Sequence, residues 1–168
     1  MTAPGRHSTS APEVAELRSL VGAIPDPEIP VLSIADLGML RDLRKEGDRV
    51  EVEITPTYSG CPALEAIRAD IESLLRRHGC REVRVRTVLE PAWTTDWMSE
   101  AARQALRDHG IAPPGLRALP MAGDLRGVPC PRCGSTDTEV ISRFSSTACK
   151  ALLRCRSCAE PFDHLKAH

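Results

Sequence analysis

The stretch "ITPTYSGCPALEAIRADIESLLRRHG" (residues 54–79) decides the fold, because it holds the clearest helix pattern in the chain. Apolar residues recur there at helical spacing and predict one buried face, formed by Leu64, Ile67, Ile71 and Leu74. Pro62 suits the first position of this helix, and Gly79 suits its end. Cys61 is therefore predicted to be the cap residue at the helix N-terminus, or to lie beside it.

Strand patterns lie on both sides of this helix. Before it, apolar residues alternate with glutamates over residues 50–54, and a turn at residues 46–48 joins them to residues 39–43 as a hairpin. After it, residues 83–87 alternate with arginines. Strand, helix and strand within about forty residues indicate a right-handed crossover, so the last strand should run parallel to its partner. The predicted fold class is α/β (α+β), with a small mixed three-stranded sheet and flanking helices.

Two further helices are predicted around this sheet. Ser10 and Glu13 have the S-x-x-E form of a capping box, and apolar residues then recur at helical spacing over residues 12–23. Ser99 is predicted to cap a second short helix, which ends at Gly110.

Composition narrows the function classes. The 168 residues carry a net charge of −1, which argues against a nucleic-acid-binding chain, since such proteins usually carry a strong basic excess. No run approaches the roughly eighteen apolar residues of a membrane span, and the N-terminus lacks the apolar region of a signal peptide. The chain is therefore predicted to be cytoplasmic, where its seven cysteines serve as thiols or metal ligands rather than disulfides.

The sequence divides into three parts. Residues 12–112 hold the sheet and helix patterns and form the predicted first domain. Residues 113–128 are rich in proline and glycine and are predicted to be a linker. Residues 129–165 are short, rich in cysteine and poor in apolar residues, so this module cannot close a core by burial alone and needs a staple.

Two C-x-x-C pairs supply that staple, Cys130 with Cys133 and Cys155 with Cys158. Each two-residue spacer lets both sulfurs face one ion, and four thiolates in a tetrahedron suit Zn²⁺, which predicts a zinc ribbon. A saturated four-sulfur site leaves no open position for chemistry, so the zinc is predicted to be structural. An iron–sulfur cluster on the same four cysteines is the alternative. Cys149 has no partner in this pattern and is interpreted as buried or loop-facing.

Cys61 permits two interpretations. At a helix N-terminus, free N–H groups and the helix dipole favour an anion and can lower the pKa of a thiol. Asp26, Glu28 and Asp36 lie in a proline-rich loop before the first strand and could supply oxygen ligands beside it. Alternatively, Cys61 is a small buried residue without chemistry, and the carboxylates are ordinary turn residues in water. The histidines are scattered and form no recognisable Cys–His catalytic set.

Two segments, "DPEIPVLSIADLGML" and "ITPTYSGCPA", resemble the MIP18-like family (domain of unknown function 59, DUF59). The hallmarks of that family fall here on residues 26–28 (DPE), residues 36–38 (DLG) and Cys61 in its T-x-x-x-C-P context. The family is a small α/β domain linked to iron–sulfur cluster assembly. The resemblance implies that Cys61 is a ligand for iron or a cluster. Its supporting loop residues would be Asp26, Glu28, Asp36, Thr55 and Gly60.

The segment "PAWTTDWMSEAARQALRDHGIAPP", combined with the two C-x-x-C pairs, looks like the PaaD (PaaJ) family. Members of that family are accessory subunits of the phenylacetyl-CoA epoxidase (ring 1,2-epoxidase), and the resemblance covers residues 12–165. It implies a maturation factor for this multicomponent oxygenase in phenylacetate degradation, foremost for the [2Fe–2S] cluster of the reductase. The implied partners are the epoxidase subunits, and a homodimer is left open. The implied cofactors are structural Zn²⁺ and, transiently, iron or an iron–sulfur cluster.

Two other function classes compete with this one. The chain could be a structural subunit that scaffolds the oxygenase, with Cys61 inert. It could also be an enzyme, but no general base lies beside Cys61 in sequence and no Glu-x-x-His di-iron pair occurs on a predicted helix. The sequence therefore favours an accessory protein without direct catalysis.

Overall fold

The computed structural model describes residues 13–58, 60–115 and 125–166. Its α-helices are α1 (Val14–Gly22), α2 (Leu64–Arg77) and α3 (Glu100–Asp108). Its strands are β1 (Leu40–Glu46), β2 (Arg49–Ile54), β3 (Glu82–Thr87), β4 (Ile111–Ala112), β5 (Thr138–Ser142), β6 (Lys150–Cys155) and β7 (Pro161–Leu165). A single 3₁₀ turn, Thr95–Trp97, precedes α3.

The first sheet has the order β1-β2-β3. Strands β1 and β2 form the predicted antiparallel hairpin, and β3 pairs parallel to β2 in register from Arg49–Glu82 to Ile54–Thr87. The parallel pairing confirms the prediction that the strand after the helix runs parallel to its partner, as a crossover connection requires. Helix α1 contacts α2 and β1, and its predicted capping residue Ser10 lies outside the described residues.

Helix α2 begins later than the sequence pattern predicts. Its N-cap is Ala63, so Pro62 is outside the helix and Cys61 lies two residues before the cap. The buried face also differs, because Ile67, Ile71 and Leu75 are fully buried while Leu64 and Leu74 pack at its margin. The prediction that Cys61 caps the helix is therefore wrong; it lies on the preceding turn, where its N–H donates to the Tyr58 carbonyl.

The DLG segment is held by the tryptophan-containing segment that follows β3. The Trp93 indole Nε1 donates to the carbonyl of Leu37 at 2.7 Å, inside the core. Gly38 has φ +70°, and a Cβ there would lie 2.7 Å from the Trp97 Cβ and 2.9 Å from its carbonyl oxygen. Only glycine combines this backbone conformation with such a close approach.

The ribbon forms a second sheet with the order β4-β7-β6-β5. Strands β5 and β6 connect the two C-x-x-C pairs and pair antiparallel, whereas no sequence pattern indicated β4 or β7. Strand β4 follows α3 directly and pairs parallel to β7, so the ribbon sheet includes residues that the sequence boundaries assign to the first domain. Most of the predicted linker, residues 116–124, lies outside the described residues.

The two sheets meet through the start of β6 and the end of β7. Cys149 and Leu165 are 3% and 1% exposed and belong to the apolar core of the first domain. A separate small core lies inside the ribbon and includes Leu153, Cys155 and Phe162. The ribbon therefore packs against the first domain through buried side chains.

Replacing Gly38 with alanine should destabilise the first domain by about 3 kcal/mol, because the strain of a positive φ adds to a steric overlap with Trp97. Gly47 is a matched control, since it has φ +59° with no atom within 4 Å of the place that a Cβ would take. Gly47→Ala should cost only about 1 kcal/mol. Urea unfolding of both variants measures the difference, and equal losses would contradict the role given to the Trp97 contact.

Candidate functional site

Four cysteines in the ribbon converge on one point. The Sγ atoms of Cys130, Cys133, Cys155 and Cys158 all lie within 4.8 Å of one another. Two of the separations are 3.8 Å, between Cys130 and Cys158, and 3.5 Å, between Cys133 and Cys155. A tetrahedron with a zinc–sulfur bond of about 2.3 Å has sulfur–sulfur edges of about 3.8 Å. The four sulfurs thus fit a single metal ion, whereas the ligands of a multi-iron cluster stand farther apart.

The backbone around these cysteines folds into two similar turns. The residue after each pair has a positive φ, +76° at Gly134 and +62° at Ala159. Main-chain N–H groups donate to the sulfurs. The hydrogen bond from the Cys158 N–H contributes most to lowering the pKa of Cys155, which is about 7. Such N–H groups stabilise thiolates, which are the metal-binding form of cysteine.

The loop between α1 and β1 is held together by its own carboxylates. The buried Oδ1 of Asp26 accepts the N–H groups of Glu28 and Ile29, each at 2.8 Å, and burial raises the pKa of Asp26. Asp36 accepts the N–H and the hydroxyl of Ser33 at 3.0 and 2.6 Å. Both aspartates therefore shape this loop with their side-chain oxygens, whereas the Glu28 carboxylate contacts a residue outside it.

The carboxylate of Glu28 contacts the ribbon. The Cys149 thiol donates to Glu28 Oε2 at 3.6 Å, across 121 residues of sequence. Cys149 is 3% exposed and also lies 3.1 Å from the Thr147 hydroxyl. Burial raises the pKa of this thiol, and the nearby Glu28 charge raises it further. Spacing alone gave no sign of this contact, because Cys149 stands outside both C-x-x-C pairs.

Cys61 lies within electrostatic range of the same groups. Its partial burial raises the pKa of its thiol to about 11, and the charges of Glu28, Asp26 and Cys149 act in the same direction. The N–H of Ala63 opposes this shift but does not outweigh it. Of the two interpretations of Cys61, the thiolate of lowered pKa therefore does not hold in this structure: desolvation and the surrounding acidic groups exceed the effect of a helix whose N-cap lies two residues later.

Thr55 and Gly60 flank this region. Thr55, directly after β2, is 1% exposed, and its Oγ1 has no hydrogen-bond partner among the described residues. Gly60 is exposed, and a Cβ there would make an ordinary contact of 3.5 Å with the Tyr58 ring. Burial raises the pKa of Tyr58, and the charges of Glu28, Cys61 and Cys149 raise it further, so its phenol lies near these three side chains. The structure thus places Cys61, Glu28 and Cys149 in one neighbourhood, which we call the interdomain thiol site.

Comparison with known proteins agrees with this two-part architecture. Residues 15–89 match the family model described as iron-sulfur cluster assembly protein, and residues 119–166 match the one described as PaaD zinc beta ribbon domain. A protein of Escherichia coli (strain K12), named as the D component of a "Putative 1,2-phenylacetyl-CoA epoxidase", is 50% identical over 159 residues. The alignment covers 92% of this chain and 93% of that protein.

Solved structures resemble the first domain. A DUF59 domain from Bacillus anthracis is 29% identical, covers 55% of this chain and 90% of its own, and has a TM-score of 0.51. A conserved hypothetical protein from Thermotoga maritima is 25% identical, covers 57% and 96% of the two chains, and has a TM-score of 0.50. Fold and site together define a DUF59-type domain joined to a four-cysteine ribbon. The chain belongs to the PaaD family of 1,2-phenylacetyl-CoA epoxidase components, as its motifs predicted.

A search for membrane spans adds one finding. Within the described ranges, none of the helices combines the length and the apolar character needed to cross a bilayer.

The raised pKa of Cys61 makes its alkylation rate a direct test of the site. With a pKa of about 11, the thiolate fraction at neutral pH is on the order of a hundredfold below that of an ordinary cysteine. The rate at Cys61, followed by mass spectrometry of its peptide, should therefore keep rising with pH up to about pH 10 without a plateau. Glu28→Gln removes one acidic neighbour and should shift the curve to lower pH. A plateau below pH 8.5 would instead mean that the helix end dominates.

Proposed function

We propose that this chain is an accessory factor that assists assembly of an iron–sulfur cluster or iron centre of the phenylacetyl-CoA epoxidase in phenylacetate degradation. The client that we propose is the reductase with its [2Fe–2S] cluster, and the residue that receives the iron or cluster is Cys61. The family supports the link to the epoxidase, and the match of residues 15–89 supports the link to cluster assembly.

The observation that carries this proposal is the surroundings of Cys61. A half-exposed thiol lies within electrostatic range of a carboxylate, Glu28, and a second thiol, Cys149. Thiolates bind iron and iron–sulfur clusters, and a partly exposed ligand can pass its cargo to another protein. Iron is cargo in this proposal, so the chain needs a site that both accepts and releases it.

The same surroundings argue against a thiol enzyme. A catalytic cysteine needs a base within hydrogen-bond reach and a lowered pKa, whereas burial raises the pKa of Cys61. The described histidines are engaged elsewhere, since His78, His109 and His164 each have Nδ1 at a main-chain carbonyl. We therefore propose that the chain performs no direct catalysis and acts in the cytoplasm.

For the ribbon we propose one structural Zn²⁺ held by Cys130, Cys133, Cys155 and Cys158. The edges of 3.5 and 3.8 Å fit one tetrahedral ion, and borderline-soft Zn²⁺ suits four thiolates. Together with the small apolar core of this module, the ion would hold β5, β6 and β7 in place. Zinc and a lone iron have similar geometry at such a site, so elemental analysis must decide between them.

A scaffolding role is the second candidate, because the ribbon presents an apolar edge. Val140, Ile141 and Phe144 are 42%, 52% and 64% exposed, and they lie on or just after β5, the outer strand of its sheet. An exposed edge strand with apolar side chains is suited to pairing with a partner protein. In this alternative the chain joins the oxygenase subunits, and Cys61 is inert.

Cys61→Ser separates the two candidates. When the reductase is co-produced with this variant, its iron and acid-labile sulfide content should fall several-fold relative to the wild-type accessory chain, because serine is a poor iron ligand. Cys80→Ser is the control, since Cys80 is also a free cysteine of the first domain but is buried and lies beyond the far end of α2. Reductase with full cluster content beside Cys61→Ser would favour the scaffold.

Metal removal tests the ribbon. Purified wild-type protein should contain about one zinc per chain, and Cys130→Ser should lose it, because three thiolates no longer saturate the ion. Near- and far-ultraviolet circular dichroism should then show loss of ribbon structure together with the metal. Iron in place of zinc in protein isolated without added metal would overturn the assignment.

A further inference from the structure

We propose that Cys149 and Glu28 are ligands of the same transient iron site as Cys61, so that the cargo is held between the two modules of the chain. This inference deepens the proposed function and rests on it. It assigns a role to the cysteine that the ribbon metal does not use and to the glutamate of the DPE segment.

The contact between Cys149 and Glu28 is the first step. The buried Cys149 thiol donates to the Glu28 carboxylate, so one proton lies between Sγ and Oε2, which are 3.6 Å apart. A metal ion can replace that proton, since thiolate and carboxylate both bind iron when deprotonated. The Thr147 hydroxyl oxygen lies 3.1 Å from the Cys149 sulfur, so two contacts hold the thiol in place.

The charges around this contact are the second step. Cys149 and Asp26 are 3% and 5% exposed and Cys61 is partly buried, so these acidic groups lie largely out of water. Lys150, the residue after Cys149, is buried, and its ammonium lies 3.3 Å from the Asp163 carboxylate. A thiol and carboxylates withdrawn from water, beside a cation already paired with another acid, suit the binding of a further cation.

The separation of the ligands is the third step. Among the described residues, only the four ribbon cysteines bring three or more such ligand atoms within 4.8 Å of one another. The three ligand atoms of the interdomain thiol site are therefore spread more widely in this conformation than the ribbon sulfurs, so one ion binds all three only after side-chain rotation. Two irons bridged by sulfide spread their ligands farther apart than one ion does, so the width favours a [2Fe–2S] cluster.

Three ligands leave such a cluster incompletely coordinated. Four protein ligands are usual for [2Fe–2S], so one position stays open for a thiolate of the client. Binding is ligand exchange without redox change: Cys61 and Cys149 each lose a proton to solvent, and each thiolate displaces one ligand that the incoming cluster carried. Transfer reverses these steps as client thiolates replace them.

The ribbon also sets the position of Cys149. The Lys166 N–H, next to β7, donates to the Cys149 carbonyl at 2.9 Å, and β6 begins one residue later. Cys149 is six residues from Cys155, a member of the four-sulfur group. A folded ribbon is thus required for the second thiolate to reach Glu28, which links the structural metal to the transient site.

Anaerobic titration of the full, zinc-loaded chain with Co²⁺ tests the ligand set. Thiolate-to-cobalt charge-transfer absorption should appear in the wild type while its zinc content stays constant. Cys149→Ser and Glu28→Gln should each weaken cobalt binding by about tenfold or more. Cys80→Ser, a buried cysteine outside the site, should bind as the wild type does.

Cluster reconstitution with ferrous iron and sulfide is the second arm. The wild type should take up a [2Fe–2S] chromophore beyond the ribbon metal, and Cys149→Ser should reduce it several-fold. Cobalt binding without cluster uptake would overturn the two-iron occupant. If Cys149→Ser fails to retain zinc, Glu28→Gln decides, because it preserves side-chain shape.

The outcomes distinguish this inference from the function on which it rests. Loss of metal binding in Cys61→Ser, with wild-type binding in both Cys149→Ser and Glu28→Gln, would overturn the interdomain ligand set and leave Cys61 as the cargo ligand. Wild-type metal binding in Cys61→Ser would instead overturn the proposed role of Cys61 itself.

Discussion

The packing of the ribbon against the first domain depends on the four-sulfur group. The apolar core of the ribbon is small, so burial alone contributes little to the order of β5, β6 and β7. Ordering these strands fixes the start of β6, where Cys149 enters the core of the first domain and meets Glu28. A local metal-binding turn thereby determines a contact between residues that are 121 positions apart.

Two effects on the pKa of Cys61 oppose each other: the helix N-terminus lowers it, whereas burial and the neighbouring acidic groups raise it. A helix N-terminus stabilises a thiolate only within its first turn, and α2 begins at Leu64. Burial and the neighbouring acidic groups act directly on the sulfur and raise its pKa to about 11. The free thiol is thus the resting form, which also protects it from oxidation, because the thiolate is the reactive species.

Local patterns in the sequence predicted the hairpin, the crossover, α3 and the four-cysteine ribbon, because each depends on spacing within a short segment. The start of α2 was misplaced by two residues, since Pro62 is compatible with a first turn that the chain does not form there. Strand β4 and the contact of Cys149 with Glu28 were missed for a different reason. Both depend on how the ribbon packs on the first domain, and the spacing of apolar residues within one segment does not reveal that packing.

The raised pKa of the thiols determines how tightly the proposed site can hold its cargo. Each thiol must release a proton before it binds iron, so the cost of deprotonation at neutral pH is subtracted from the binding free energy. For Cys61 that cost is larger than for an ordinary cysteine, because burial raises its pKa to about 11. A storage site would be weakened by this cost. A transfer site benefits from it, because each thiol regains its proton when the cargo leaves, and this favours release.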